Sequence, residues 1–171
     1  MGLFDIFKFS DNNEQEKAVS SRLVHKLRQL LPNSSDSELL KNACIAGLLA
    51  RVAYADMKID PQEIIGMQKA LTQWSELDPA QVEVVTTVAV EEMVELAGIE
   101  NHRYCPSLNE LMNNDQKYNL LKSLFNIAAS DGSVESVEAE EIRLICQGLL
   151  LEHKHFISAQ ATVIEFLAAL K

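Results

Sequence analysis

The sequence predicts an all-α fold, a compact bundle of about seven helices, and three observations carry that prediction. Apolar residues recur at intervals of three and four, the spacing of one helical face, while the alternation of a strand is scarce. Helix-breaking residues are few, with six glycines and four prolines in 171 residues. One stretch of chain also repeats itself after a shift of 75 positions, each copy reading as the joint between two helices.

Taken in chain order, residues 1–12 stand apart as an N-terminal arm that is apolar and aromatic before the polar run Asp11-Asn12-Asn13. Leu3, Phe4, Ile6, Phe7 and Phe9 are its candidate partner-binding residues, and the arm has two readings. It folds back onto a groove of its own domain, or it offers its phenylalanines to a partner or a membrane interface. Gly2 is not read as a myristoylation site, because that signal needs Ser or Thr where Ile6 stands.

Residues 13–171 read as a single helical domain. The first face is Leu23, Leu27, Leu30 and Leu31, and the break Pro32-Asn33-Ser34-Ser35 ends it. Asp36, with Glu38 close behind, is expected to cap the second helix, whose face is Leu40, Cys44, Leu48, Val52 and Ala55. A third helix follows the first joint through Met67. Asp78 then Pro79 open a fourth, with Val82, Val85, Ala89, Met93 and Leu96 on one face, so the β-branched run Val84 to Val90 reads as helix. After the Gly98 to Pro106 connection come Leu121, Leu124, Phe125 and Ala128, then Ile142, Ile145, Cys146 and Leu149. Val163, Phe166, Leu167 and Leu170 make a last helical stripe.

Composition excludes several functions. A formal net charge of −10 repels phosphate backbones, so nucleic acid is not an expected partner. No stretch approaches the roughly 18 apolar residues of a membrane-spanning helix, and no basic n-region precedes a long apolar core, so a cytoplasmic, non-transmembrane protein is expected. Cys44, Cys105 and Cys146 form no C-x-x-C pair and read as reduced thiols, the first and last in core stripes. Glycine-rich phosphate loops, Gly-x-Ser-x-Gly elbows and His-Glu-x-x-His are all missing, so a binding module is expected rather than an enzyme. His153 and His155 flank Lys154 in what reads as a solvated polar turn.

The repeat is the most informative feature. Val52 to Glu63 matches Ile127 to Glu138, so that Asp56 pairs with Asp131, Ile59 with Val134, Asp60 with Glu135 and Glu63 with Glu138. Each copy reads as a helix end, a tight turn and a new helix start. Asp60 then Pro61 is an N-cap and a first-turn proline, and Glu63 completes a capping box. Gly132 suits a left-handed turn that Met57 adopts only with strain. The spacing imitates half of an EF-hand, but Val52, Tyr54, Ile127 and Ala129 fall where leading carboxylates should be, so an EF-hand is excluded. Two readings stay open for Asp56, Asp60, Glu63, Asp131, Glu135 and Glu138: helix caps alone, or ligands of a divalent cation at the surface.

With Ala55-Asp56, Ile59 and Glu63 in one joint and Ser130-Asp131-Gly132, Val134 and Glu138 in the other, the chain resembles the paired Ala-Asp-Gly-x-(Ile/Val)-x-x-x-Glu repeats of TerB-like domains. The resemblance covers about residues 36–170. It implies a seven-helix bundle shared by tellurite-resistance TerB and a segment of a membrane-anchored DnaJ-type co-chaperone. It further implies a link to tellurite and other chemical stress, with either metal binding or a connection between membrane and cytoplasmic partners, and no settled catalytic activity. Met57 replaces the first glycine of the pattern and Ser130 the second alanine, and the His-Pro-Asp signature of a J-domain is absent. The functional expectation is a stress-associated binding protein that takes a divalent metal at its joints. Its rivals are a protein-interaction or scaffolding module whose acids only cap helices, and a structural subunit that oligomerises through the arm.

Overall fold

A helix that is apolar on every side must lie at the centre of its domain, and residues 36–53 are such a helix. In the computed structural model, which describes residues 14–95 and 104–167, the elements are α1 (Glu14–Leu30), α2 (Asp36–Ala53), α3 (Pro61–Trp74), α4 (Pro79–Glu95), α5 (Cys105–Leu111), α6 (Asn114–Ala128), α7 (Ser136–Gly148) and α8 (His153–Ala161). A 3₁₀ turn, Ile164–Phe166, follows. Eight helices thus stand among the described residues where about seven were expected: α5 and α8 had not been read, α8 standing where a solvated polar turn around His153 and His155 was expected, and the last apolar stripe supplies no α-helix. Leu3, Phe4, Ile6, Phe7 and Phe9 lie outside the described residues, as do Leu96, the Gly98–Arg103 stretch and Leu170.

α2 buries thirteen of its eighteen residues and packs against α1, α3, α4, α5, α6 and α7. The stripes read from the sequence face it: Leu23 and Leu27 from α1, Met67 and Leu71 from α3, Val82, Val85 and Ala89 from α4, Leu121, Leu124 and Phe125 from α6, and Ile142 and Ile145 from α7. Val84 to Val90 is helical throughout, since tertiary burial of one face outweighs β propensity. Gly47, midway along α2, lets the Tyr104 ring lie flat on the helix; a Cβ there would collide with the ring.

Two sequence expectations are corrected. The cap of α2 is Ser35, not Asp36: the Ser35 hydroxyl accepts the Glu38 N–H at 3.2 Å, and Glu38 accepts the Ser35 N–H at 2.9 Å. Asp36 is the first helical residue and instead pairs with Arg28 of α1. Asp78 does cap α4, exchanging bonds with Gln81 at 2.9 and 3.0 Å. The stripe Val163, Phe166, Leu167 does not form a further α-helix. The Thr162 hydroxyl donates to the Ala159 carbonyl at 2.6 Å, and the chain leaves helical geometry at Val163 (φ −124°). The Phe166 carbonyl then accepts the Val134 N–H at 2.6 Å, and Leu167 forms an isolated parallel bridge with Val134. That N–H belongs to the second joint, and a continuing helix would leave it unpaired.

The remaining sequence signals behave as small hydrophobes and caps. Cys44, Cys105 and Cys146 are all buried free thiols, and burial pushes Cys44 and Cys105 up to about 12. His155 Nδ1 accepts the Glu152 N–H at 3.1 Å at the start of α8, while His153 stacks on Phe156 with ring centres 5.8 Å apart. Among the described residues no helix is long and apolar enough to cross a membrane.

The shift of 75 positions is visible as structure. It carries α2 onto α6 and α3 onto α7, and the packing of α3 on α6 corresponds to that of α7 on α2. Each half thus lays its second helix on the first helix of the other, and the two acidic joints come together where Glu63 meets Glu138.

Candidate functional site

Each joint is made by the same bonds at matched positions. After α2, Tyr54 N–H donates to the Ala50 carbonyl at 3.0 Å, Ala55 to Val52 at 3.1 Å and Met57 to Tyr54 at 3.0 Å. After α6, Ala129 donates to Phe125 at 2.9 Å, Ser130 to Ile127 at 2.9 Å and Gly132 to Ala129 at 3.1 Å. Asp56 Oδ1 accepts the Lys58 N–H at 2.9 Å, and Asp131 Oδ1 accepts the Ser133 N–H at 2.9 Å. These are Asx-type turns, in which a short carboxylate stands in for a backbone carbonyl. Ile59 and Val134 then point inward, the first half-buried and the second buried, and fix each joint to the core.

Both turns need a left-handed residue. Gly132 has φ +100° and Met57 φ +68°. A side chain in this region strains the backbone by about 1–2 kcal/mol, and the Met57 side chain is 61% exposed, so little packing offsets it. Met57→Gly is therefore expected to stabilise the protein by about 0.5–1 kcal/mol after the entropy of glycine is subtracted. Urea denaturation should show it as a higher midpoint at unchanged slope.

The six predicted acids separate into three pairs. Asp56 and Asp131 close the turns. Asp60 and Glu135 stand at the starts of α3 and α7, where Asp60 Oδ1 accepts the Gln62 N–H at 2.7 Å and Glu135 Oε1 accepts the Ser133 hydroxyl at 3.2 Å. Glu63 and Glu138 reach back, Oε2 of each accepting the Asp60 N–H at 2.7 Å and the Glu135 N–H at 2.6 Å respectively. That leaves the second oxygen of each glutamate free, and the two carboxyls lie within hydrogen-bonding reach of one another, both buried to 5% exposure.

Two buried carboxyls in contact cannot both carry a charge cheaply. Burial is the main cause that raises both groups above the ordinary carboxyl range, and Asp56 and Asp131 add repulsion at Glu63. Burial, with Glu63 beside it, holds Glu138 well above the ordinary carboxyl range, so the pair favours keeping a proton. Where the two joints meet, two buried carboxyls thus favour holding a proton, with Asp56 and Asp131 exposed beside them.

Among the described residues no three His, Cys, Asp or Glu side chains converge as a ready-made metal cage. What stands there is a two-glutamate pair, with Asp56 and Asp131 felt through charge rather than contact and Asp60 and Glu135 committed to their own turns.

One buried acid escaped the sequence reading. Glu92 of α4 is 2% exposed, neither of its oxygens is hydrogen-bonded among the described residues, and Arg22 Nε lies 3.4 Å from Oε1. Burial raises it to about 7, against the pull of Arg22. The signal was present, because Glu92 continues the spacing Val82, Val85, Ala89, but the face read from the sequence passes through Met93 instead.

Comparison with known families gives a match over residues 41–161 to the family model described as tellurite resistance protein TerB. No curated protein and no solved structure gives a significant match.

Proposed function

The chain belongs to the tellurite resistance protein TerB family, and from that premise we propose that it is a non-catalytic, cytoplasmic, stress-associated binding protein whose paired joints take up a divalent cation in place of the proton shared by Glu63 and Glu138. The observation that carries this reading is the meeting of the two repeat glutamates, buried and raised together. A site that retains a proton at neutral pH only because two carboxyls repel is one where a divalent cation competes with that proton.

The residues fit such an ion in kind. Every donor is a carboxylate oxygen and none is histidine or cysteine, which suits calcium, magnesium or manganese better than zinc. Glu63 and Glu138 would hold the ion, and Asp56 and Asp131 would supply the charge that offsets it, with water completing the shell. The second reading keeps the acids as caps within a protein-interaction module. It is favoured by the local hydrogen bond that each of the six accepts.

Thermal melting separates the two. With chelator-treated protein, calcium, magnesium or manganese at about 100 times its dissociation constant adds roughly 2.7 kcal/mol, a rise of about 5–10 °C in a domain this size. Asp131→Ala should shrink that rise. If no ion moves the midpoint and Asp131→Ala is merely less stable by about 0.5–2 kcal/mol, the acids are caps.

A further inference from the structure

The duplication permits a comparison that a single-copy fold does not: the groove between α3 and α6 corresponds, position by position, to the groove between α7 and α2. The second is filled. Arg51 of α2 donates to Glu141 of α7 at 2.8 Å through Nε and at 3.4 Å through Nη2, and both side chains are largely covered. α5 lies over this side, where Asn109 donates to the Gly148 carbonyl at 2.8 Å.

Shifted by 75, Glu141 becomes Gly66, Arg51 becomes Asn126, buried Leu48 becomes Ser123 and Leu144 becomes Lys69. Neither partner of the ion pair is present here, and a hydroxyl and an ammonium stand where the other half has two apolar side chains. The result is a groove of about 360 Å³, lined by α3, α6 and Ser130 just beyond α6, with no third helix over it among the described residues. Small-molecule sites begin at about this size.

The lining has a definite chemistry. Lys69 is its one charged group and makes no ion pair with a described residue, and no carboxylate lines the groove in a chain of net charge −10. The carboxamides of Gln62, Gln73 and Asn126 make no hydrogen bond to another described residue, whereas Ser123 is turned to the Asn119 carbonyl at 3.2 Å. One helix stripe thus offers an ammonium between two amides, and the facing helix offers a third amide.

We propose that the α3/α6 groove, where the counterpart of the Arg51–Glu141 pair is missing, is a binding site for a small hydroxylated organic anion whose carboxylate or phosphate sits on Lys69 and whose hydroxyls are read by Gln62, Gln73 and Asn126. The site is distinct from the Glu63–Glu138 pair and does not depend on that pair taking a metal.

The test is a titration of the full ¹⁵N-labelled chain, in chelator, with glycerol 3-phosphate, with gluconate and with uncharged glycerol. Saturable amide shifts confined to Gln62, Gly66, Lys69, Gln73, Ser123 and Asn126 are expected with an anion, and the tighter of the two anions identifies the charged group. Lys69→Met should weaken binding by about 10- to 100-fold, the loss of one charge-assisted hydrogen bond. Gly66→Glu with Asn126→Arg, which rebuilds the missing pair, should abolish it. Since a Cβ on Gly66 meets Ile127 at 3.3 Å, Lys69→Met carries the test if the rebuilt variant folds poorly. The proposal is overturned by an absence of saturable shifts up to about 50 mM, well above a millimolar dissociation constant, by glycerol binding as well as the anions, or by shifts that Lys69→Met leaves unchanged.

Discussion

Glu138→Gln flattens the dependence of stability on pH between about 5 and 8. In the unfolded chain Glu138 loses its proton around its ordinary value of 4.5, whereas in the folded protein it keeps that proton to about 8. Across this window the folded state binds more protons, so the slope of unfolding free energy against pH is negative. The contribution is fully present below pH 4.5 and is lost as pH rises through 8. At about 1.4 kcal/mol per unit of pKa, it amounts to about 3–4 kcal/mol over the window. Glutamine has the shape of the protonated acid and still donates to Glu63, so the variant should retain its acid-side stability and lose less on the way to pH 8. Shallower slopes from Glu63 and Glu92, each raised by its own burial, remain in both proteins. Urea midpoints at pH 5, 6, 7 and 8 measure this, and parallel curves for wild type and variant would mean that the pair shares no proton.

Tyr104→Ala should be the most damaging single substitution in the connection before α5. The ring is 2% exposed and lies on the bare backbone of Gly47, at the middle of the central helix. Truncating a buried aromatic removes its transfer free energy and leaves a cavity, together about 3–5 kcal/mol. In a domain of this length that lowers the melting midpoint by about 10–15 °C. The reciprocal change, Gly47→Ala, probes the same contact from below. A helical Gly→Ala exchange ordinarily gains about 1 kcal/mol, but here the new Cβ must displace the ring, so a net loss of about 1–2 kcal/mol is expected. Combining the two should give less than the sum, because alanine at 104 leaves room for the methyl at 47. Strict additivity would show that the two residues do not press on each other.

Six of the eight described helices, their order and the matched joints were legible because each is written locally, in apolar spacing and in caps within four residues, whereas short α5 and α8 were not read. Asp78 and Asp60 were readable as caps for that reason, and Met57 as the strained member of its pair. Ser35 was passed over for Asp36 because both types cap and only the backbone conformation of the preceding residue decides between them. The end of the chain misled for a tertiary reason. Val163 to Leu167 has helical spacing, but a backbone N–H at Val134, thirty residues earlier, needed a carbonyl.

The candidate site was half legible. All six acids could be named from the repeat, and their turns and caps could be assigned. That Glu63 and Glu138 would meet follows only from the packing of the two halves about α2 and α6, which no spacing records. Glu92 shows the opposite failure. Its position lies at helical spacing from Val82, Val85 and Ala89, but the stripe was followed through Met93, and an acid among apolar residues was not looked for.

The meeting of those glutamates also bears on ancestry. One repeat alone carries a single buried glutamate and half of the crevice that covers it, so a lone ancestral hairpin would have exposed that face to water. Two identical hairpins, associated about a true symmetry axis, would have closed it. Fusion of two such copies would make the partners permanent and free them from identity, so that one half can hold the Arg51–Glu141 pair while the matching positions of the other are Gly66 and Asn126.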